Sequence, residues 1–383
     1  MNKILYLHST LETGGAEELR FLTLKYMDRN KYDIKVLCIK KKGAVAERIE
    51  DLGYEVMCLD ESAKPYALST TFKLFMYFIK NKFDIVQTSL FDANFHGRIA
   101  AKLAGVPVII SEEHSEHYQY NSFKFKAYIY ADMLLSMITD KIICCSEKMM
   151  HSVAKKENIS MNKLFPIVNA IDFKKFENVK SRTLVRKAIN IDNSNIVIGN
   201  IASLSPRKGQ DCLIRAFGKI HRIFPSSKLV IAGREHAETK RKLVDIIQEF
   251  DLTNDVIFLG ERRDIPDLLN AMDIFVLSSV YEGMPLSIAE AMHMGIPVIS
   301  TDAGGVSEII SNGVNGILVS PGDPDSLSDA IADLLNNPEK SRLLAKSAKD
   351  TVASKFDPNI YVNKLNSLYE EILEKKRGKL CAA

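Results

Sequence analysis

Long apolar runs are missing from this sequence, and with them the usual mark of an integral membrane protein. No stretch approaches the roughly 18 consecutive apolar residues that suggest a membrane-spanning helix. Signatures of nucleic-acid binding are missing as well: there is no arginine-rich tract and no zinc or RNA-binding spacing, and the formal net charge at pH 7 is only +3. We therefore expect neither a spanning helix nor a nucleic-acid partner.

Cysteine is scarce and forms no pattern that a metal or a disulfide would need. The six cysteines are scattered, mostly in apolar stretches, and no Cys-x-x-Cys pair occurs. They are typical of small hydrophobic core residues in a reducing compartment. The apolar run within Met1–His8 is also too short for the hydrophobic segment of a signal peptide. These features predict a cytoplasmic protein.

The chain has ample material for two buried cores. Its 383 residues include 46% hydrophobic and 26% charged residues, which is ordinary for a soluble globular protein. That length is more than one core usually fills, so two domains are expected. Internal repeats and low-complexity tracts, which would indicate another architecture, do not occur.

Short β-rich apolar runs alternate with helical segments along both halves of the chain, which is typical of parallel sheets covered by helices. The alternation stops between Asn169 and about Asn195, where polar sequence predicts a linker region. We predict an α/β protein with two Rossmann-like, doubly wound domains, 1–172 and 173–357, that face an interdomain cleft. A C-terminal helix at about 358–378 is expected to pack back on the first domain.

One strand–loop–helix unit carries the strongest functional signal. Pro285 is suited to the first position of its helix, and Gly295 is suited to the position just after the helix end. The amides of Gly283–Leu286, a stretch that includes Met284, then lack intrahelical partners and carry the positive end of the helix dipole. These amides form an anion site suited to a diphosphate.

Two carboxylates flank this anion site in the sequence. Glu282 precedes the helix and Glu290 lies inside it, and carboxylates are natural acceptors for the hydroxyls of a sugar or a ribose. An ordinary helix start with solvated glutamates fits the same residues, because strand–loop–helix units are common. The Gly-Met-Pro stretch between the two carboxylates favours a functional site.

The segment Glu282-Gly283-Met284-Pro285-Leu286, followed by Glu290-Ala291-Met292, resembles the Glu-x7-Glu signature of the retaining glycosyltransferases of family 4. The next segment, Gly295–Ile310, is similar to that family as well. The resemblance implies the two-domain GT-B fold and transfer of a sugar from a nucleoside-diphosphate donor, UDP or GDP. It implies a glycan or lipid-linked acceptor, polysaccharide or glycoconjugate biosynthesis, and a reaction that needs neither metal nor cofactor.

The resemblance also assigns roles to residues in the first domain. Gly14 and Gly15 follow the first predicted strand and would face the donor phosphates and the acceptor, although a simple strand-to-helix turn fits them too. His114 lies in a polar cluster after the predicted strand 106–111, and by family position it contacts the donor sugar. His117 is a weaker candidate, and a metal site or a surface loop fits the same cluster by residue type.

Two cations follow the first strand of the second domain. Arg207 and Lys208 stand where a diphosphate is expected, although a solvated basic turn fits them as well. Lys208 matches the family directly, whereas Ser203 occupies the position of the family's usual arginine, and we expect Arg207 to replace that charge. The loop at Gly233 is expected to approach the nucleotide base, largely through its backbone.

These assignments predict catalysis by charge stabilisation rather than by a protein nucleophile. Lys208 and the helix start stabilise the leaving diphosphate, and Glu290 binds the ribose hydroxyls. Glu282 and His114 hold the transferred sugar, whose anomeric configuration is retained by resemblance.

Other functions remain open at the level of sequence. A nucleotide-sugar epimerase can share this architecture, and Ser203 leaves room for a sugar-nucleotide-binding protein that has lost catalysis. A dinucleotide dehydrogenase is disfavoured, because the first strand of neither domain leads into a Gly-x-Gly-x-x-Gly fingerprint.

The aromatic-rich segment His117–Met137 of the first domain admits two interpretations. An amphipathic stretch of this kind can contact a membrane, which would place the protein peripherally at the inner face of that membrane. Aromatic stripes more often pack in a core. Six aromatic residues carry the pattern: Tyr118, Tyr120, Phe123, Phe125, Tyr128 and Tyr130.

Overall fold

Two compact units make up the chain, one formed by Met1–Ala170 with Pro358–Ala383 and the other by Ile171–Asp357. The computed structural model describes residues 1–61, 68–114 and 123–381, and it leaves the side chains of 123–128 and 379–381 undescribed. The division between Ala170 and Ile171 lies close to the predicted boundary, and the C-terminal helix belongs to the first unit. No helix among the described residues is long and apolar enough to cross a bilayer.

The first unit is a seven-stranded parallel sheet in the order β3-β2-β1-β4-β5-β6-β7. Its strands are β1 (Asn2–Leu11), β2 (Tyr32–Lys42), β3 (Val56–Cys58), β4 (Ile85–Ser89), β5 (Val108–Glu113), β6 (Lys141–Cys144) and β7 (Leu164–Pro166). Its helices are α1 (Gly15–Tyr26), α2 (Ala44–Asp51), α3 (Leu68–Asn81), α4 (Arg98–Leu103), α5 (Phe123–Ser136), α6 (Glu147–Lys156) and α15 (Pro358–Cys381).

Alternate side chains of the central strand face two different cores. Ile4 and Tyr6 of β1 pack with residues of α1, α2 and α15, whereas Leu5 and Leu7 pack with residues of α3 and α4. Because successive side chains of a strand point to opposite faces, both faces of the sheet are covered by helices. The hydroxyls of Tyr6 and Tyr369 lie 3.0 Å apart, so α15 is anchored to the centre of the sheet.

The second unit is a six-stranded parallel sheet in the order β10-β9-β8-β11-β12-β13. Its strands are β8 (Ile196–Ile201), β9 (Ser227–Ala232), β10 (Val256–Phe258), β11 (Ile274–Leu277), β12 (Val298–Thr301) and β13 (Ile317–Val319). Its helices are α7 (Arg182–Ala188), α8 (Gln210–Ile223), α9 (Ala237–Glu249), α10 (Ile265–Asn270), α11 (Leu286–His293), α12 (Val306–Ile309), α13 (Pro324–Asn336) and α14 (Pro338–Lys355). Both units are Rossmann-like α/β sheets, which confirms the predicted fold class.

Two predictions of local structure, the linker region and the end of β5, were wrong. The predicted linker region contains α7, whose Arg186 is buried and pairs with Asp273 at 2.7 Å. The polar cluster at the end of β5 is not all loop, since the strand continues through Glu112 and Glu113, and both side chains are buried. Charged residues normally end a predicted strand, so only their buried partners explain why this one continues.

Candidate functional site

The topology of the second unit's sheet points to the carboxyl ends of β8 and β11 as the place for ligand chemistry. These two strands are neighbours, although the chain leaves β8 toward β9 on one side and β11 toward β12 on the other. In doubly wound sheets, ligands bind outside the carboxyl ends of strands at such a switch point. The loop after β8 carries Arg207 and Lys208, and the loop after β11 carries Glu282.

Glu282 is the centre of a charged cluster that joins the two loops. Its carboxylate accepts hydrogen bonds from Lys208 Nζ at 2.5 Å, Ser279 Oγ at 2.5 Å and Arg207 Nη1 at 3.2 Å. The Glu282 residue is only 4% exposed, while Lys208 and Arg207 remain partly open to solvent. One buried carboxylate therefore holds two cations at the end of the sheet.

Backbone contacts fix the two loops against each other. Gly209 has φ +61°, and a Cβ at this position would lie 2.1 Å from the carbonyl oxygen of Ser278. The Val280 amide donates to the Arg207 carbonyl oxygen at 2.8 Å, and Ser278 Oγ donates to that of Lys208 at 3.1 Å. Glycine is required at 209 because any side chain would push the loops apart. The relative position of the charges is thus set by the backbone.

The helix after Glu282 begins one residue later than predicted. Pro285 has ψ 109° and lies before the helix, which runs from Leu286 to His293, and Gly295 follows with φ +70° as expected. Among the described residues, the backbone amides of Gly283, Met284 and Leu286 donate no hydrogen bond. These amides are donors for an anion at the positive end of the helix dipole.

Glu290 lies one turn into this helix and is partly exposed, with interactions of its own. The Ser203 side chain is partly exposed, and its carbonyl oxygen accepts a hydrogen bond from Gln210 Nε2 at 3.0 Å. At Gly233, where φ is +155°, a Cβ would lie 2.1 Å from the Ala202 carbonyl oxygen. The loops after β8 and β9 are therefore in close backbone contact beside Ser203.

The first unit brings Gly14, Gly15 and His114 to the same edge of its sheet. Gly14 is extended, with φ −170°, and precedes α1, which begins at Gly15. His114 directly follows β5, and its Nε2 lies 3.1 Å from Ser89 Oγ and 3.3 Å from Glu112 Oε2. Strands β1 and β5 flank β4 in the sheet, so these residues follow strands that are only one strand apart.

A buried polar network that the sequence analysis missed supports His114. Arg20 of α1 donates from Nε to His8 Nε2 at 3.0 Å and from Nη2 to Glu112 Oε2 at 2.6 Å. Its guanidinium also lies over the ring of Tyr6, 3.8 Å from the centroid. Gln87 Nε2 donates to the other oxygen of Glu112 at 2.5 Å. The one sequence signal for this network is the position of Glu112 directly after a predicted apolar strand.

Burial and charge together set the protonation of this network. Burial acts to raise the pKa of Glu112, but the adjacent Arg20 guanidinium outweighs it and holds that pKa well below its usual range. Burial, and then Arg20, lower the pKa of His8 well below its usual range. Burial raises the pKa of Tyr6 to about 12. At neutral pH the network therefore contains an ionised Glu112, a charged Arg20 and a neutral His8.

The metal site and the aromatic segment that the sequence suggested concern residues that are described only in part. Within residues 1–61, 68–114 and 123–381 there is no group of acidic, histidine and cysteine side chains arranged to hold a metal ion. His117, Tyr118 and Tyr120 lie outside the described residues, and so do the side chains of Phe123, Phe125 and Tyr128. The described cysteines are free thiols.

Comparison with known families covers most of the chain. The sequence model of the family described as Glycosyl transferases group 1 matches residues 181–351. That of Glycosyltransferase Family 4 matches residues 13–175. The two matches fall in the second and first units respectively.

Relatives with curated functions match over nearly full length. An Escherichia coli UDP-Gal:alpha-D-GlcNAc-diphosphoundecaprenol alpha-1,3-galactosyltransferase is 25% identical over 95% of both chains. A Campylobacter jejuni N,N'-diacetylbacillosaminyl-diphospho-undecaprenol alpha-1,3-N-acetylgalactosaminyltransferase is 27% identical over 89% of this chain and 92% of its own.

A solved structure of Anabaena HepE in complex with UDP and glucose is similar in fold, with a TM-score of 0.86 and 23% identity over 97% of this chain and 100% of that one. The relatives and the two family matches agree with the two Rossmann-like sheets. The chain belongs to glycosyltransferase family 4, and it is a GT-B glycosyltransferase of polysaccharide or lipid-linked glycan biosynthesis.

Proposed function

We propose that this protein is a retaining, metal-independent transferase that moves a sugar from a uridine diphosphate donor to a lipid-linked glycan. The observation that carries the proposal is the cluster in which Glu282 holds Lys208 and Arg207 next to the free amides before α11. Cations and amides aimed at one place are what a departing diphosphate needs, because negative charge grows on it as the bond to the sugar breaks.

Contacts within the protein position the two cations. Glu282 is buried and fixed by Ser279 as well as by both cations, so the protein itself holds Lys208 and Arg207 in place. A preformed arrangement costs little reorganisation during the reaction, and this is why it can lower the barrier. Ser203 occupies the position of the family's usual arginine. Arg207, four positions later in the same loop, supplies a cation in its place.

The role of Glu282 follows from the same contacts. When a diphosphate takes up hydrogen bonds from Lys208 and Arg207, the carboxylate oxygens of Glu282 gain capacity to accept from hydroxyls of the transferred sugar. Glu290, further along α11, accepts from the ribose hydroxyls. The protein cations supply the positive charge that a divalent metal would otherwise provide, and this supports a reaction without metal or cofactor.

In the first unit, we assign His114 to the transferred sugar and the Gly14–Gly15 turn to the phosphates and the acceptor. His114 is 15% exposed in its side chain and is held by Ser89 and Glu112, so its ring is fixed but reachable. The choice of uridine and of a lipid-linked acceptor is supported by the name of the Escherichia coli relative, which uses UDP-Gal and a diphosphoundecaprenol acceptor.

Donor choice can be tested by thermal stability. We expect UDP and UDP-hexoses to raise the melting temperature more than GDP- or ADP-sugars, because a ligand that binds only the native state stabilises it. Glu290→Gln should weaken UDP binding about tenfold, since it removes a charged acceptor of ribose hydrogen bonds. Glu249→Gln, on the exposed face of α9, is the matched control and should bind as the wild type does. Equal stabilisation of wild type and Glu290→Gln would contradict the ribose assignment.

Retention can be tested on the product. With an α-linked UDP-hexose and a short lipid-diphosphate acceptor, we expect an α-linked product, which the anomeric proton coupling in an NMR spectrum reports. The activity should persist after exhaustive treatment with EDTA, because Lys208 and Arg207 take the place of the metal. A β-linked product would refute retention, and a loss of activity with EDTA that Mg²⁺ restores would refute metal independence.

A further inference from the structure

Helix α3 exposes an apolar stripe on the side that faces away from the sheet. Its inward side, with Leu74 and Phe78, is buried against the sheet. Its outward side carries four apolar residues at helical spacing that are between 47% and 85% exposed: Leu68, Phe72, Met76 and Ile79. Residues three, four and seven apart lie on one face of a helix, so these side chains form a continuous stripe.

Exposed apolar side chains also occur on α4 and α5, the neighbouring helices of the same layer. Residues of α4 share the core of α3, and Arg98 of α4 pairs with Asp132 of α5. Leu103 of α4 and Tyr130, Leu134 and Met137 at the end of α5 are exposed as well. Among the described residues of the first unit, this layer holds eight of the eleven exposed large hydrophobic side chains. We call the eight residues the α3–α5 apolar face.

The helices that carry the α3–α5 apolar face contain more basic than acidic residues. Helices α3, α4 and α5 contain a single acidic residue, Asp132, which is buried and paired with Arg98. Lys80 lies along one edge of the α3 stripe together with Lys73, which pairs with Glu61. Lys82 and Lys102 are exposed at the ends of α3 and α4. An apolar stripe with a basic border fits the interface of an anionic bilayer, since apolar side chains enter the acyl region and lysines meet the head groups.

We propose that the α3–α5 apolar face docks the protein on an anionic phospholipid bilayer. The sequence indicated membrane contact through His117–Met137; the α3–α5 apolar face shares Tyr130, Leu134 and Met137 with that segment but centres on α3. The inference deepens the proposed function by naming where the enzyme meets the surface that carries a lipid-linked acceptor. Docking needs no donor, so it can be measured independently of transfer.

Sedimentation with vesicles tests the proposal. Wild type should bind vesicles of phosphatidylcholine with about a third phosphatidylglycerol and should bind pure phosphatidylcholine at least about tenfold more weakly, because the lysines add roughly 1 kcal/mol each near an anionic surface. Phe72→Gln/Met76→Gln should lower binding to anionic vesicles about tenfold, and Lys80→Glu should weaken it in low salt. Leu184→Gln/Ile223→Gln, which changes two equally exposed residues of the second unit, is the matched control and should bind as wild type does.

Melting temperature and UDP-induced stabilisation are measured for every variant. Both should match the wild type in Phe72→Gln/Met76→Gln, so that lost docking is separated from lost folding or lost donor binding. The proposal is overturned if wild type does not bind anionic vesicles, or if the α3 double variant binds as tightly as wild type. It is also overturned if the α3 variant abolishes a concentration-dependent dimer while vesicles are not bound, because the face then belongs to a second copy of the chain.

Discussion

Lys208→Ala is expected to lower kcat/KM for sugar transfer by about 10²–10³, most of it in kcat. In the proposed mechanism the lysine is one of two cations that stabilise the leaving diphosphate, and removal of one such preorganised group typically costs this much. The same change leaves the buried Glu282 with Ser279 and Arg207 as its remaining partners, so it should also lower the free energy of unfolding. Steady-state kinetics with saturating acceptor, together with the melting temperature, separate the two effects.

Two further variants make the result specific to the cluster. Lys228→Ala removes a cation that pairs with Asp255 at 2.7 Å and lies at the beginning of β9, so its transfer rate should equal that of wild type. Glu282→Gln should lower kcat/KM as well. The double variant Lys208→Ala/Glu282→Gln should lose less transition-state stabilisation than the sum of the two single losses, because the two side chains act as one unit. Full additivity, or a kcat/KM within about threefold of wild type for Lys208→Ala, would show that the ion pair serves only the fold.

Arg20→Met is expected to lower the free energy of unfolding of the first unit by about 3–5 kcal/mol at pH 7. Arg20 and Glu112 are 1% and 2% exposed in their side chains, and removal of one partner leaves an uncompensated charge in the interior. Methionine fills a similar volume, so the loss reports the charge rather than a cavity. Urea unfolding monitored by circular dichroism measures the change. The exposed pair of Lys35 and Glu55 is the control, and Lys35→Met should cost less than about 1 kcal/mol.

The pH dependence separates an ion pair from simple packing. The pKa of Glu112 is lowered in the folded protein, so its contribution is fully present above the ordinary glutamate pKa of about 4.3 and is lost as pH falls below that value. In Arg20→Met, the buried Glu112 loses its cation, so its pKa rises and protonation at mildly acidic pH relieves the buried charge. The stability difference between wild type and Arg20→Met should therefore shrink from pH 8 to pH 5. A difference that stays constant with pH would contradict the ion-pair account.

The sequence predicted the limits of α11 better than the first unit's polar interior. Helical and strand periodicities are local, and Pro285 and Gly295 mark the limits of α11 to within one residue. The extension of β5 through Glu112 was not predictable in this way, because a charged side chain continues a buried strand only where another element supplies its partner. That partner, Arg20, comes from α1, far away in the sequence.

By itself, the sequence determined that the chain folds into two Rossmann-like α/β units, and its motif around Glu282 determined the family, because alternating apolar runs and helix-end residues act over short distances. Only the tertiary structure decided that Glu282 holds Lys208 and Arg207, since these residues follow different strands and meet only when β8 and β11 become neighbours in the sheet. It likewise decided which apolar side chains of α3 are core and which face outward, because a helix with apolar residues on two opposite sides carries no local mark of which side the sheet covers.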